Sequence, residues 1–123
     1  MKCLIRGERV KRRPTRYYSK KQETKVAKEL NMKVQPNSGA TPFYKGDVSD
    51  ENVLLECKTL TKPQTQRTIK KEWLTKLVEE QFAMGLDFSG LVFDFGDKDE
   101  YVIVTLDLFK EFLRVCKEFY KED

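Results

Sequence analysis

The sequence contains no histidine. This absence removes imidazole acid–base catalysis, Ser–His and Cys–His nucleophilic sites, most zinc centres and the histidine-metal nucleases. Cysteine is also scarce. Cys3, Cys57 and Cys116 are odd in number and stand at no metal-ligand spacing, which argues against a disulfide framework and for a reducing, cytosolic compartment. Cys57 and Cys116 fall in apolar patterns and read as small buried hydrophobes. No apolar run approaches the roughly 18 residues of a membrane span, and no stretch resembles a signal peptide. No membrane partner is therefore expected. Any hydrolysis must rest on carboxylates, lysine and hard metal ions.

What is abundant is charge. Charged residues make up 36% of the 123 residues, enough chain for one domain with a single core. Residues 1–33 hold twelve Lys/Arg and three Asp/Glu, a net +9, and residues 34–123 hold twelve and seventeen, a net −5. A basic first third suggests a polyanionic partner, although a solvated tail has the same composition. Residues 1–18 read as a basic arm carrying Arg12, Arg13 and Arg16, with Pro14 breaking any helix. Residues 19–123 read as the domain. Tyr17 and Tyr18 could stack on bases or cover the core.

Ser19 and Gln22 fit a capping box that opens a helix running to about Asn31, with Val26, Ala27 and Leu30 inward. Glu23 falls on the same inward stripe. It is either a paired or metal-bound carboxylate or a first-turn Glu favoured by the helix dipole. Gln35 to Pro42 is a loop whose Ser38 and Gly39 could let a phosphate approach. A second helix is expected from about Thr68 to Met84, stopping at Gly85, with Ile69, Trp73, Leu74, Leu77, Val78 and Phe82 inward. Lys70, Lys71 and Lys76 lie off that stripe and suit phosphates or solvent equally. Strands follow at 91–95 and 101–104. A last helix from about Leu106 to Tyr120 turns Phe109, Phe112, Leu113, Cys116 and Phe119 inward. Helix, hairpin, helix, two strands, helix predicts an α/β or α+β fold, a mixed sheet flanked by helices.

The chemistry concentrates in the hairpin, residues 45–58. With Glu51 and Asn52 as loop residues, Ser49 faces Leu54, Val48 faces Leu55 and Asp47 faces Glu56. Two carboxylate side chains then stand directly opposite each other, with Cβ atoms roughly 5 Å apart, which is destabilising without a cation between them. Oxygen donors of this kind suit a divalent metal, and Lys58 stands one pleat along on the same face.

Gln22-Glu23 on a helix, Ser38-Gly39-Ala40, Lys45-Gly46-Asp47-Val48, Glu56-Cys57-Lys58 and the helix opening Ile69-Lys70-Lys71 resemble, in that order, the PD-(D/E)XK nuclease superfamily. The nearest likeness is to the small phage and archaeal Holliday-junction resolvases, and it spans about residues 19–105. Gly46 stands where the superfamily name implies proline. The resemblance implies a restriction-endonuclease-like fold and cleavage of branched DNA, with Glu23, Asp47, Glu56 and the main-chain carbonyl of Cys57 holding Mg²⁺ or Mn²⁺ and Lys58 activating water. It also implies a homodimer, matched to a two-fold junction. Arg12, Arg13, Arg16, Lys20, Ser38, Lys45, Lys70 and Lys71 are the expected nucleic-acid contacts. A nicking or end-processing nuclease, or a non-catalytic nucleic-acid-binding module, are the alternatives.

Overall fold

The computed structural model describes residues 15–35 and 47–121. In an exposed turn the Asp50 carboxylate accepts hydrogen bonds from the backbone N–H groups of Asn52 and Val53, both at 2.8 Å. The N–H of Asp50 also reaches the Val53 carbonyl. This turn joins β2 (Val48–Ser49) to β3 (Val53–Lys58) with Glu51 and Asn52 as the loop. The register is the expected one, Val48 opposite Leu55 and Ser49 opposite Leu54.

The described elements run α1 (Thr15–Leu30), β1 (Lys33–Val34), β2, β3, α2 (Lys71–Ala83), β4 (Phe88–Asp94), β5 (Glu100–Ile103) and α3 (Leu106–Lys121). The strands form one mixed sheet in chain order. β3 and β4 are parallel, joined through α2, and the other neighbours are antiparallel. The protein is thus a mixed α+β domain with a five-stranded sheet and three helices among the described residues.

Alternation along β3 divides the core in two. Leu55 and Cys57 meet Val26 and Ala27 of α1 together with Val48 and Val92. Leu54 turns the other way, to Leu91 and to Leu77 of α2, with Ile69, Trp73 and Leu74 around them. Helix α2 ends as its glycine requires. Gly85 takes a φ of +70°, its N–H reaches the Phe82 carbonyl, and the N–H of Leu86 reaches that of Gln81. This paired closure satisfies the last carbonyls of the helix.

Several expectations are corrected. Helix α1 starts at Thr15, so Ser19 lies inside it and does not cap it. A proline just before a helix is compatible with its first turn, and Pro14 therefore does not exclude helix from Thr15 onward. Glu23 consequently sits in the third turn, beyond the reach of a first-turn dipole effect. Strand β1, following Asn31 at a φ of +56°, is an addition too short to show a periodicity. Leu30 and Phe82 are exposed rather than inward. The largest departure is α3. None of its residues is buried, and Phe119 is 70% exposed. Both faces of the central sheet are already covered by α1 and α2. Phe112 of α3 meets Phe88 of β4, with ring centres 6.3 Å apart.

Candidate metal centre

Asp47 stands at the entrance to β2 and is 8% exposed. Its N–H donates to the Leu55 carbonyl, and its Oδ2 accepts the N–H of Cys57 at 2.7 Å. The side chain is thereby fixed against the strand that carries Glu56. Continuing the β2–β3 register by one residue brings Asp47 alongside Glu56.

Glu56 and Lys58, two residues apart on β3, share the α2 face with Leu54. Their side chains form an ion pair at 3.6 Å. The ammonium of Lys58 also lies 4.6 Å above the ring centre of Trp73 on α2, a favourable cation–π position. With Lys71, Lys76 and Glu80 of α2, these residues line a groove of about 780 Å³.

Glu23 arrives from α1, whose apolar side packs on the Cys57 face of the sheet. It nonetheless feels the hairpin carboxylates. Its carboxyl is pushed up to about 7, first by burial and then by the charges of Asp47 and Glu56, with Lys20 and Arg16 opposing. Glu56 is likewise pushed up to about 7, first by burial and then by Asp47. Lys58 opposes this shift and Glu80 adds to it. Burial pushes the Cys57 thiol upward as well, helped by the same carboxylates. Three acidic side chains, from α1, the entrance to β2 and β3, therefore concentrate negative charge at one end of the hairpin.

The donor chemistry fits a hard divalent cation, since carboxylate and carbonyl oxygens are its preferred ligands and the mutual repulsion is what a cation would relieve. The side chains are not gathered as a finished cage. Among the described residues, no three Asp, Glu or Cys groups lie close enough together to hold one ion. Glu23 approaches from the α1 side, while Glu56 faces α2 and is engaged by Lys58. Coordination by all three needs side-chain movement.

Of the expected nucleic-acid contacts, Arg16 and Lys20 lie on α1 and flank a concavity of about 640 Å³ with Tyr17 and Lys25. Lys70 occupies the residue before α2 without capping it through its side chain, its ammonium 5.9 Å from the Trp73 ring centre, and Lys71 begins the helix. Arg12, Arg13, Ser38 and Lys45 lie outside the described residues.

Four residues have a part at the site that the sequence reading did not assign to them: Gln22 and Arg67, which bond the Lys58 carbonyl directly, Asp94 beside Arg67, and Glu80 near Glu56. Gln22 donates from Nε2 to the Lys58 carbonyl at 3.0 Å and to Glu100 at 2.9 Å. Its Oε1 is buried without a hydrogen-bond partner among the described residues. Arg67 donates to the carbonyls of Lys58 and Asp94. Asp94 is 4% exposed. It accepts hydrogen bonds from the Thr59 hydroxyl and from the N–H groups of Leu60 and Gly96. Glu80 is the one omission with a sequence signal. It follows Trp73 by seven residues and Leu77 by three, which puts it on the inward stripe of α2. Gln22, Arg67 and Asp94 act chiefly through contacts 9 to 78 residues distant along the chain, which no local pattern encodes.

No protein-family model matches the chain, and comparisons with curated proteins and with solved structures find no significant match.

Proposed function

We propose that this protein is a metal-dependent endodeoxyribonuclease of the PD-(D/E)XK type, with a restriction-endonuclease-like sheet, that hydrolyses phosphodiester bonds in branched DNA such as a four-way junction. The observation that supports this most is the electrostatic coupling of Glu23, Asp47 and Glu56 at the end of a hairpin, with Lys58 paired to Glu56. Two carboxyls pushed up to about 7, first by burial and then by their acidic neighbours, are costly in isolation and useful as a cation site.

Glu23, Asp47, Glu56 and the Cys57 carbonyl would hold Mg²⁺, with Mn²⁺ as a substitute. Bound there, the ion would supply a Lewis acid for a phosphate oxygen and a water of lowered pKa. Lys58 contributes a fixed positive charge beside the phosphorus as negative charge develops. Its ammonium is steered by Glu56 and by the Trp73 face, and its backbone is clamped by Gln22 and Arg67. Arg16 and Lys20 on α1, with Lys70 and Lys71 at the start of α2, serve as phosphate contacts. They fix the DNA's position without reading its sequence. A homodimer would match the two cuts of a symmetric junction.

A non-catalytic nucleic-acid-binding module is the second reading, favoured by the lack of a ready-made three-ligand cluster among the described residues. One experiment separates the two. Labelled four-way junction, linear duplex and single strand are each incubated with protein in Mg²⁺, in Mn²⁺ and in EDTA. The nuclease reading expects metal-dependent cuts, chiefly in the junction, with no nucleotide cofactor. Binding without cleavage in either metal overturns it in favour of the module.

A further inference from the structure

We infer that α3 is an interface through which two copies of this chain pair, with their α3 helices side by side and running in the same direction. The inference rests on the exposed face of the helix and not on the nuclease reading.

The sequence of α3 separates apolar from charged positions without exception in its heptad strips. Phe109 and Cys116 share one strip, Phe112 and Phe119 the next, and the strips on either side of this seam are also apolar. Seven large apolar side chains of the helix are exposed, from Leu113 at 40% to Leu106 at 73%. Together they leave uncovered about four whole side chains' worth of surface, roughly 800 Å² at ~200 Å² each. That equals one partner's share of a standard stable interface, about 800 Å², and exceeds the patch size that monomers commonly leave exposed.

The charged border specifies the occupant. Lys110 and Lys117 line one edge of the apolar face, and Glu111 and Glu118 line the other. When two such helices pack in parallel about a two-fold axis, the lysine edge of each copy meets the glutamate edge of the other. Antiparallel packing would set lysine against lysine and glutamate against glutamate. A lipid surface fits less well. Helices that lie on membranes carry a strongly cationic polar face, whereas here Arg114 is already engaged by Glu111 at 3.0 Å and Glu118 at 3.3 Å.

The test is sedimentation velocity on the full chain over a range of micromolar concentrations, for the wild type and for Phe119→Asp. Phe119 is on the surface, so the variant should keep the fold, which circular dichroism checks. The wild type should sediment as a dimer, and the substitution should weaken dimerisation by roughly thirtyfold or more, as loss of an interface anchor does. Orientation is read from Cys116, an exposed thiol. In a parallel pair each Cys116 faces its counterpart across the seam. In a Cys3→Ser background, oxidised glutathione should therefore link the two copies. Two thiols lose two protons and two electrons to form one S–S bond, and the oxidant is reduced to two glutathione molecules. A monomeric wild type overturns the inference, whether or not it binds anionic vesicles. So does a dimer indifferent to Phe119→Asp. A dimer that Phe119→Asp disrupts but that forms no Cys116 link overturns the parallel arrangement.

Discussion

Replacing Glu56 by Gln isolates the electrostatic strain at the hairpin, because glutamine keeps the volume and removes the charge. A carboxyl raised from 4.5 to about 7 holds its proton more tightly in the folded state. Its favourable contribution to stability is fully present below about pH 4.5 and is lost as pH rises through about 7. The shift corresponds to a ceiling of about 3 kcal/mol. Partial exposure of the side chain and the lost ion pair with Lys58, worth about 0–1 kcal/mol, reduce that. The metal-free Glu56→Gln protein should therefore exceed the wild type by about 1–2 kcal/mol at pH 8, after these deductions from the linkage ceiling. At pH 5, where Glu56 is largely protonated, the two should be nearly equal. Urea unfolding in EDTA at pH 5, 6, 7 and 8 measures this, with unchanged m-values as the check on two-state behaviour. Excess Mg²⁺ should then reverse the order at pH 8, since only the wild type keeps the full ligand set. A variant less stable than the wild type at pH 8 in EDTA would show that Glu56 serves mainly as the ion-pair partner of Lys58, and the strain argument would fail.

Other consequences follow from the same contacts. Asp94→Ala strips the buried Arg67 of its anionic partner and leaves the N–H groups of Leu60 and Gly96 without their acceptor. It should cost about 3–5 kcal/mol in urea unfolding, and a loss under 1 kcal/mol would contradict the clamp on Lys58. Gly96→Ala puts a Cβ 2.5 Å from the Lys62 carbonyl oxygen at a φ of +83°. Its urea midpoint should fall well below that of Gly85→Ala, whose Cβ meets nothing within 4 Å at a similar φ. Equal midpoints would mean that the loop yields freely. Replacing Arg16 and Lys20 together by Ala should lower the slope of log affinity against log salt by about 2 on duplex DNA. An unchanged slope would remove α1 from the DNA contact surface.

The hairpin was legible in the sequence because strand alternation stands beside turn-forming residues, and the structure has the register that follows from Glu51 and Asn52 as the loop. Asp50, Glu51 and Asn52 fix the loop, and the faces of Leu54 and Leu55 follow. The stop of α2 was legible for the same kind of reason, since Gly85 supplies the left-handed residue that its closure needs. The start of α1 was misread because the spacing of Ser19 and Gln22 mimics a capping box. Gln22 instead turns its amide to Lys58 and Glu100, 36 and 78 residues away. Periodicity identified the apolar face of α3 correctly but carries no information on what covers it. At the site, residue types and strand alternation brought out Asp47, Glu56 and Lys58. The supporting contacts of Arg67 and Asp94 depend on the parallel β3–α2–β4 crossover, and those of Gln22 on the docking of α1 against the sheet, neither of which sequence spacing reveals.

Asp47 is where the proposed chemistry is most exposed to test, because its carboxylate couples to both Glu23 and Glu56 and is anchored by the Cys57 N–H. Asn at this position can still accept that hydrogen bond while losing the charge. The measurement is junction cleavage by wild type and Asp47→Asn across a Mg²⁺ titration, alongside junction binding in EDTA. The nuclease account predicts that the wild type cuts in proportion to bound metal. The variant should bind the junction with similar affinity and cut at least about a hundredfold more slowly, a loss of some 2.7 kcal/mol in transition-state stabilisation. Wild-type cleavage that persists in EDTA, or a variant that cuts at the wild-type rate, would contradict it.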